Sequence, residues 1–245
     1  MTVRNPIIVA LDVDSPAEAL TLADQLKGAV GAVKVGSQLF TAAGPSIVAR
    51  LAERGHKVFL DLKYHDIPNT VAGAAAEAAK LGAWMIDVHA SGGLVMMKAA
   101  REAAGASAVA AGITPPLVIA ITVLTSFDQN MIETVGIQRS IADQVDALAW
   151  LAQEAGLDGV VASPHEVGRL RAARGDGFVL VTPGIRAAAP DEPGRKRDDQ
   201  ARTMTAGAAM AAGANFIVVG RPIIAAPDPV AAAEGLAASL SSMHR

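Results

Sequence analysis

Two patterns of hydrophobic residues alternate along the chain. Short runs rich in valine and isoleucine indicate buried β-strands, and longer amphipathic stretches rich in alanine and leucine indicate α-helices. Eight strands are predicted, at residues 7–12, 32–36, 57–63, 84–89, 117–123, 159–162, 178–182 and 216–220. Eight helices alternate with them, at residues 16–27, 38–54, 71–81, 93–104, 141–155, 164–173, 205–212 and 229–241. Strict alternation over this length predicts parallel strands.

Eight such units in 245 residues predict an α/β fold, a (β/α)8 TIM barrel in which residues 1–245 form a single domain. The alternative is a doubly wound open sheet. No glycine-rich phosphate fingerprint follows the first strand, which disfavours a dinucleotide-binding version of that sheet. A long polar segment follows the seventh strand, and long loops inside compact domains are usually functional or disordered. Its position at the carboxyl side of a strand favours an active-site lid at about residues 186–202.

Composition narrows the class of function. A net charge of -3 gives no general electrostatic basis for binding nucleic acid. Cysteine is absent, which excludes disulfides and thiolate metal sites and fits a reducing cytoplasm. No signal peptide precedes the first strand, and no uninterrupted apolar run reaches the ~18–20 residues of a membrane span. We therefore expect a cytoplasmic protein that binds neither nucleic acid nor membrane.

The segment DLKYHDIPNT, residues 61–70, places three charged groups at the end of an apolar strand. Side chains alternate along a strand, so Asp61 and Lys63 share one face, and Asp66 lies just beyond the strand. Burying a charge is costly unless the charge is paired. The segment therefore predicts a reactive site, and the alternative is a structural ion pair at a strand end.

Polar residues recur at the carboxyl ends of the other predicted strands, where barrels of this class carry their chemistry. They are Asp12, Lys34, Asp87, His89, Thr122, Thr125, Ser126, Thr182, Arg186 and Arg221. For His89 a structural hydrogen-bonding role is favoured over catalysis, and Asp87 is expected to orient its neighbours or to contact a ligand weakly.

The last two strand ends predict a clamp for an anion. Backbone amides around Gly220 can point at a phosphate, and Arg186 and Arg221 can add charge-assisted hydrogen bonds. The loops after the seventh and eighth strands are the usual phosphate site of this fold. The alternative is that both arginines are solvated or pair with loop carboxylates.

Taken in order, these motifs closely resemble the orotidine 5′-phosphate decarboxylase family in its bacterial form. The matching segments are VALD (9–12), VKVG (33–36), DLKYHDIPNT (61–70), VHASGG (88–93), TVLTS (122–126), VTPGIR (181–186) and VGRP (219–222). The resemblance implies decarboxylation of orotidine 5′-monophosphate (OMP) to uridine 5′-monophosphate (UMP) and CO2, the last step of de novo UMP synthesis. It also implies that the reaction needs no metal and no other cofactor.

The resemblance assigns the catalytic roles to four residues. Lys63 would be the general acid that protonates C6 of the pyrimidine, and Asp61 would lie beside the departing carboxylate. Lys34 would bridge the carboxylates and the ribose. Asp66, with Ile67 and Thr70, would reach into the site of a neighbouring subunit and make a homodimer the working unit.

The remaining implied contacts are with substrate. Asp12 would hold a ribose hydroxyl, and Thr125 and Ser126 would contact the base. The other substrate-binding residues, most of them at the 5′-phosphate, would be Pro183, Arg186, Gln200, Gly220 and Arg221. The segment 186–200, which contains Gln200, is longer than is usual in the family.

Two other interpretations stay open. The related 3-keto-gulonate-6-phosphate decarboxylases and hexulose-phosphate synthases share the Asp-x-Lys-x-x-Asp motif but use magnesium. Their second strand typically carries a metal-ligating glutamate where this chain has Lys34, and a lysine replaces that ligand with a cation. The third interpretation is a nucleotide-binding barrel without activity, which the intact charged set disfavours.

Overall fold

Eight parallel strands, each hydrogen-bonded to two neighbours, close into a barrel in the computed structural model, which describes residues 5–186 and 204–241. The barrel strands are β1 (Ile7–Ala10), β2 (Ala32–Gly36), β3 (Val58–Tyr64), β4 (Met85–His89), β5 (Leu117–Ile121), β6 (Gly159–Val161), β7 (Val179–Thr182) and β10 (Phe216–Val219). β1 pairs with both β2 and β10, which closes the ring. The predicted TIM barrel is confirmed. A short parallel pair, β8 (Ile185–Arg186) with β9 (Met204–Thr205), stands outside the barrel.

Helices connect successive strands. They are α1 (Pro16–Gln25), α2 (Ser37–Ala43), α3 (Ser46–Glu53), α4 (Pro68–Lys80), α5 (Gly93–Ala110), α6 (Gln129–Thr134), α7 (Ile141–Glu154), α8 (Val167–Arg174), α9 (Ala206–Ala211), α10 (Arg221–Ile224) and α11 (Pro229–Ser241). Ser15, Ser140 and Thr205 accept hydrogen bonds from the first turns of α1, α7 and α9. Such caps satisfy backbone donors that have no partner inside the helix. None of the helices in the described ranges is long and apolar enough to cross a membrane.

Several helix predictions need correction. The single helix predicted at 38–54 is two helices, because Gly44 ends α2 with a φ of 69° and Pro45 cannot continue it. α4 begins at Pro68, three residues before the predicted start, since proline suits the first turn of a helix. The short helices α6 and α10 were not predicted, because six and four residues are too few to show a helical period.

Strand alternation separates two apolar cores. Inward-facing side chains fill the part of the barrel towards the amino ends of the strands with an apolar layer, which we call the plug: Ile8, Ala32, Phe59, Met85, Ile119, Val181 and Phe216. Outward-facing side chains such as Val9, Leu60 and Ile86 pack in the second core, under the helices. Burying a side chain of this size stabilises the fold by ~1.5–3 kcal/mol. On β2, β3 and β4 the next inward positions towards the carboxyl ends are Lys34, Asp61 and Asp87, so charged residues lie directly above the plug.

Candidate active site

A cavity of about 470 Å³ opens at the carboxyl end of the barrel, above the plug. Predicted site residues from six strand ends line it: Asp12, Lys34, Asp61, Lys63, Thr125, Ser126, Pro183, Gly220 and Arg221. Apolar side chains, among them Ile121, Val161 and Val218, complete the wall. One apolar cavity with a few convergent polar groups is the usual form of a small-molecule site.

A wider recess of about 1120 Å³ lies at the opposite, amino-terminal end of the barrel. Its carboxylate Asp158 already accepts a hydrogen bond of 2.7 Å from the backbone N–H of Val118. The same carboxylate lies 3.3 Å from the guanidinium of Arg101. Asp158 therefore ties strands and helices together, and we place the chemistry at the carboxyl end.

Four side chains in the cavity form a chain of alternating charge. The Nζ atom of Lys34 lies 3.3 Å from Asp12 Oδ1 and 3.3 Å from Asp61 Oδ2. The other oxygen of Asp61, Oδ1, pairs with the Lys63 ammonium. Lys34 and Asp61 are buried, whereas the side chain of Lys63 is 36% exposed to the cavity. Each buried charge thus has an opposite neighbour, and one ammonium is left accessible to a ligand.

The pKa values follow from this pairing. Burial disfavours the charge on Lys34, but Asp61 and Asp12 outweigh it and raise the Lys34 pKa above its ordinary value. Burial likewise disfavours ionised Asp61, but the neighbouring charges of Lys34 and Lys63 outweigh it and lower the Asp61 pKa to about 2. Both groups are therefore charged at neutral pH.

Lys63 has an unusual backbone. Its φ of 53° is the only positive value at a non-glycine residue in the described ranges. The residue lies in a bulge: Leu60 pairs with Ile86 and Tyr64 with Val88, so three residues of β3 stand opposite Asp87 alone. A residue held in a sparsely populated region costs ~1–3 kcal/mol, and such residues cluster at functional sites.

Asp87 on β4 holds this bulge, which agrees with the expectation that Asp87 orients its neighbours. Its Oδ1 accepts a hydrogen bond of 2.8 Å from the backbone N–H of Lys63. The side chain is fully buried and does not line the cavity. Burial, followed by the charge of Asp61, raises the pKa of Asp87 well above its ordinary value. A usable signal existed, because alternation with Met85 already places Asp87 inside the barrel.

The end of the cavity near β7 and β10 carries the predicted anion clamp. Gly220 is the residue before α10, and Arg221 is the first residue of that helix. Both line the cavity together with Pro183 and Gly184. The side chain of Arg186 and all of Gln200 lie outside the described residues, as do residues 187–203. The predicted lid and its two contacts therefore stay predictions.

Asp66, Ile67 and Thr70 do not line this cavity. All three are exposed at the start of α4, and Ile67 is 66% exposed. The Oδ1 atom of Asp66 accepts a hydrogen bond of 2.6 Å from the backbone N–H of Ile67. The structure thus separates these residues from the other predicted site residues of the same chain.

Two histidines lie beside the four alternating charges of Asp12, Lys34, Asp61 and Lys63. The rings of His65 and His89 are 5.3 Å apart and tilted by 33°. Burial, then the charges of His65 and Lys63, lowers the pKa of His89, so its ring is neutral at pH 7. Neither ring lines the cavity. In the described part of the chain, no three His, Asp or Glu side chains cluster in a way that could hold a metal ion.

Comparison with known proteins identifies the family. Residues 5–236 match the model of the orotidine 5′-phosphate decarboxylase / HUMPS family. An orotidine 5′-phosphate decarboxylase from Moorella thermoacetica is 51% identical over 241 residues, which cover 98% of this chain and 94% of that protein. The enzyme of the same name from Nitrosococcus oceani is 50% identical over 240 residues, 98% of this chain and 99% of the relative.

Solved structures agree with this result. The crystal structure of orotidine 5′-phosphate decarboxylase from Lactobacillus acidophilus superposes with a TM-score of 0.84 at 39% identity. The match covers 96% of this chain and 99% of that chain. Matches of this length leave no large part of either chain unaligned, and they include every strand of the barrel. The chain therefore belongs to the orotidine 5′-phosphate decarboxylase / HUMPS family.

Proposed function

We propose that this protein decarboxylates OMP to UMP and CO2 in pyrimidine biosynthesis, with Lys63 as the proton donor. The observation that carries the proposal is the alternating chain Asp12–Lys34–Asp61–Lys63 in one cavity with Gly220 and Arg221. Relatives that are about half identical over nearly the whole chain carry the name of this activity, which supports the proposal.

The reaction breaks the bond between C6 of the pyrimidine and its carboxylate. The electron pair stays on C6, in the plane of the ring, where no π system can absorb it. Lys63 stabilises this developing charge and then transfers a proton from Nζ to C6. The acceleration expected of such a difficult step is on the order of 20 kcal/mol, so preorganised charge must supply much of it. Asp61 and Lys34 hold that charge in place before the substrate arrives.

Binding energy at the phosphate supplies the rest. Arg221 and the backbone near Gly220 would hold the 5′-phosphate, and Arg186 and Gln200 would complete the clamp from the proposed lid at about residues 186–202. Contacts far from the reacting carbon can order the site and so raise the rate of the chemical step. Asp12 would bind the ribose, and Thr125 and Ser126 would contact the base.

We also propose that the working unit is a homodimer. Asp66, Ile67 and Thr70 are exposed and lie off the cavity of their own subunit, which supports a contribution to the site of a neighbour. An exposed isoleucine beside a carboxylate and a hydroxyl suits a contact surface with a polar rim.

We place the protein in a reducing cytoplasm, which fits the absence of cysteine.

The direct test follows the orotate chromophore after OMP is added to the purified protein. Loss of its absorbance, with UMP and CO2 formed in equal amounts, is the expected result. No spectral change while UMP still binds would contradict the proposal and favour a binding protein without activity.

A second candidate is a magnesium-dependent sugar-phosphate enzyme, because the matched family also includes the HUMPS proteins. The position of Lys34 argues against it, since an ammonium already lies between the carboxylates of Asp12 and Asp61. We expect EDTA to leave the rate of OMP decarboxylation unchanged. Inhibition by EDTA that magnesium reverses would support the second candidate.

A further inference from the structure

Asp87 is the only charged residue without exposed surface in the described ranges. It faces the barrel interior from β4, level with Ile119 of the plug on the neighbouring strand β5. It does not line the cavity, so we expect it to act through its neighbours rather than on a substrate. A charged residue in such a place calls for a physical reason, because burying an unpaired charge is strongly unfavourable.

The two oxygens of Asp87 have different surroundings. Oδ1 accepts the backbone N–H of Lys63 at 2.8 Å. Oδ2 is buried and accepts no hydrogen bond. The titratable groups around it are Asp61, Lys63 and Tyr64 on β3 and His89 on its own strand, and β5 presents apolar residues only. Leu60 and Ile86 are paired in register, so the next residues on β3 and β4, Asp61 and Asp87, lie side by side, and the Asp61 carboxylate can accept a proton from Oδ2.

We propose that Asp87 is a positioning residue that keeps a proton on Oδ2, donates it in a hydrogen bond to Asp61, and fixes the backbone of Lys63 through Oδ1. The inference rests on the proposed function for its effect on catalysis. It gives the buried oxygen a partner, and two adjacent carboxyl groups that share one proton avoid two like charges side by side. Burial and the Asp61 charge both favour this protonated form.

One neutral carboxyl group would thus orient both catalytic side chains. The bond to the Lys63 backbone holds its left-handed φ of 53° and therefore the direction of its side chain. Because the hydrogen bond comes from a neutral Asp87, Asp61 stays ionised and pairs with both Lys34 and Lys63. The cluster then holds two cations and two anions, from Lys34, Lys63, Asp12 and Asp61.

The first test compares Asp87→Asn with Asp87→Leu. The asparagine amide can accept from Lys63 and donate to Asp61, so we expect its kcat for OMP to stay within about threefold of wild type. Leucine makes neither bond, and we expect kcat to fall by about 100-fold, as for a small misplacement of a catalytic group. Both variants should bind UMP as wild type does. An Asp87→Asn variant that is as slow as Asp87→Leu would overturn the proposal.

The second test needs only wild type and Asp87→Asn, and it does not depend on catalysis. A carboxyl with a raised pKa contributes its full stability below its ordinary pKa and loses it as the pH rises towards the raised value. Asparagine has no proton to lose. The urea midpoint of Asp87→Asn should therefore increase relative to the urea midpoint of wild type as the pH rises from about 4 to about 8. A gap that does not change over this range would overturn the proposal.

An exposed carboxylate provides the matched control. Hydrogen bonds with Ser140 and Arg169 lower the pKa of Asp143, so the gap between Asp143→Asn and wild type should stay constant from about pH 4 to about pH 8 and narrow only at lower pH. If OMP is not decarboxylated at all, the proposed function fails. The pH arm still decides whether Asp87 is protonated, so the two failures can be told apart.

Discussion

On β3, Phe59 and Asp61 face the same barrel interior two residues apart. Phe59 belongs to the plug, whose seven side chains are all apolar and fully or nearly fully buried. Asp61 belongs to a layer in which each carboxylate needs a lysine and each lysine a carboxylate. The plug contributes free energy of folding at any pH, whereas the charged layer must first offset the desolvation of its own charges and depends on their ionisation.

The difference shows how a barrel can carry an unfavourable site. The charged layer lies directly on the plug and is held by the same strands, so the packing below fixes the charges above. A cluster of this kind on the surface behaves differently: Asp24 pairs there with Arg54 and His56 on other elements, and solvent screens the pairs. Mutations in the two interior layers should therefore separate catalysis from stability.

The largest effect is expected for Lys63→Ala in the charged layer. The variant loses both the proton donor and the charge that stabilises the carbanion, so kcat should fall on the order of 10⁵-fold. Binding of UMP should stay close to wild type, because the ammonium acts on the reacting carbon. Steady-state kinetics and calorimetry of UMP binding check the two halves of this prediction.

A control for that variant is Lys80→Ala, which removes an exposed lysine of α4 that pairs with Glu77. It should leave kcat unchanged. A loss of UMP affinity in Lys63→Ala as large as its loss of turnover would argue against Lys63 as the acid.

The next effect is expected in the plug. Ile8→Ala removes a fully buried side chain far from the ammonium of Lys63 and leaves a cavity. The free energy of unfolding should fall by about 2–5 kcal/mol, measured by urea titration. The kcat of the remaining folded enzyme should change little. A kcat that falls in proportion to stability would show that the two layers are not separable.

The sequence predicted one layer better than the other. Asp12, Lys34, Asp61 and Lys63 were predicted together because inward positions at strand ends share one cavity in a barrel. Asp87 was expected to orient its neighbours, but its bond to the Lys63 backbone was not predicted, because the bulge in β3 sets the level of Asp87 against Lys63. No residue type marks that bulge: positive φ is usually the property of glycine or asparagine, and here it falls on lysine.

The fold shows a similar limit. Short runs rich in valine and isoleucine predicted all eight barrel strands, although β6 has only three residues. The break between α2 and α3 was missed although Pro45 marks it, because the apolar period continues across the break. The short pair β8–β9 has two residues in each strand, too few for any pattern.

A smaller effect is expected at the phosphate end of the charged layer. Arg221→Ala removes a cation from the cavity wall, which should raise the KM for OMP by about 100-fold, as for the loss of a charge-assisted hydrogen bond. Binding of the unphosphorylated nucleoside should barely change. Arg50→Ala, at an exposed position of α3, is the control. Equal losses for nucleotide and nucleoside would remove Arg221 from the phosphate site.

The smallest effect separates the two layers by pH alone. The Asp61 pKa is lowered to about 2, so its pairing contributes stability that is present above pH ~4 and lost as the pH falls towards 2. The contribution is about 2 kcal/mol by the linkage relation. Urea titrations of wild type should show this loss between those values, while the deficit of Ile8→Ala stays constant because no proton binds in the plug. A deficit of Ile8→Ala that varied with pH in step with wild type would mean that the plug and the charged layer unfold as one coupled unit.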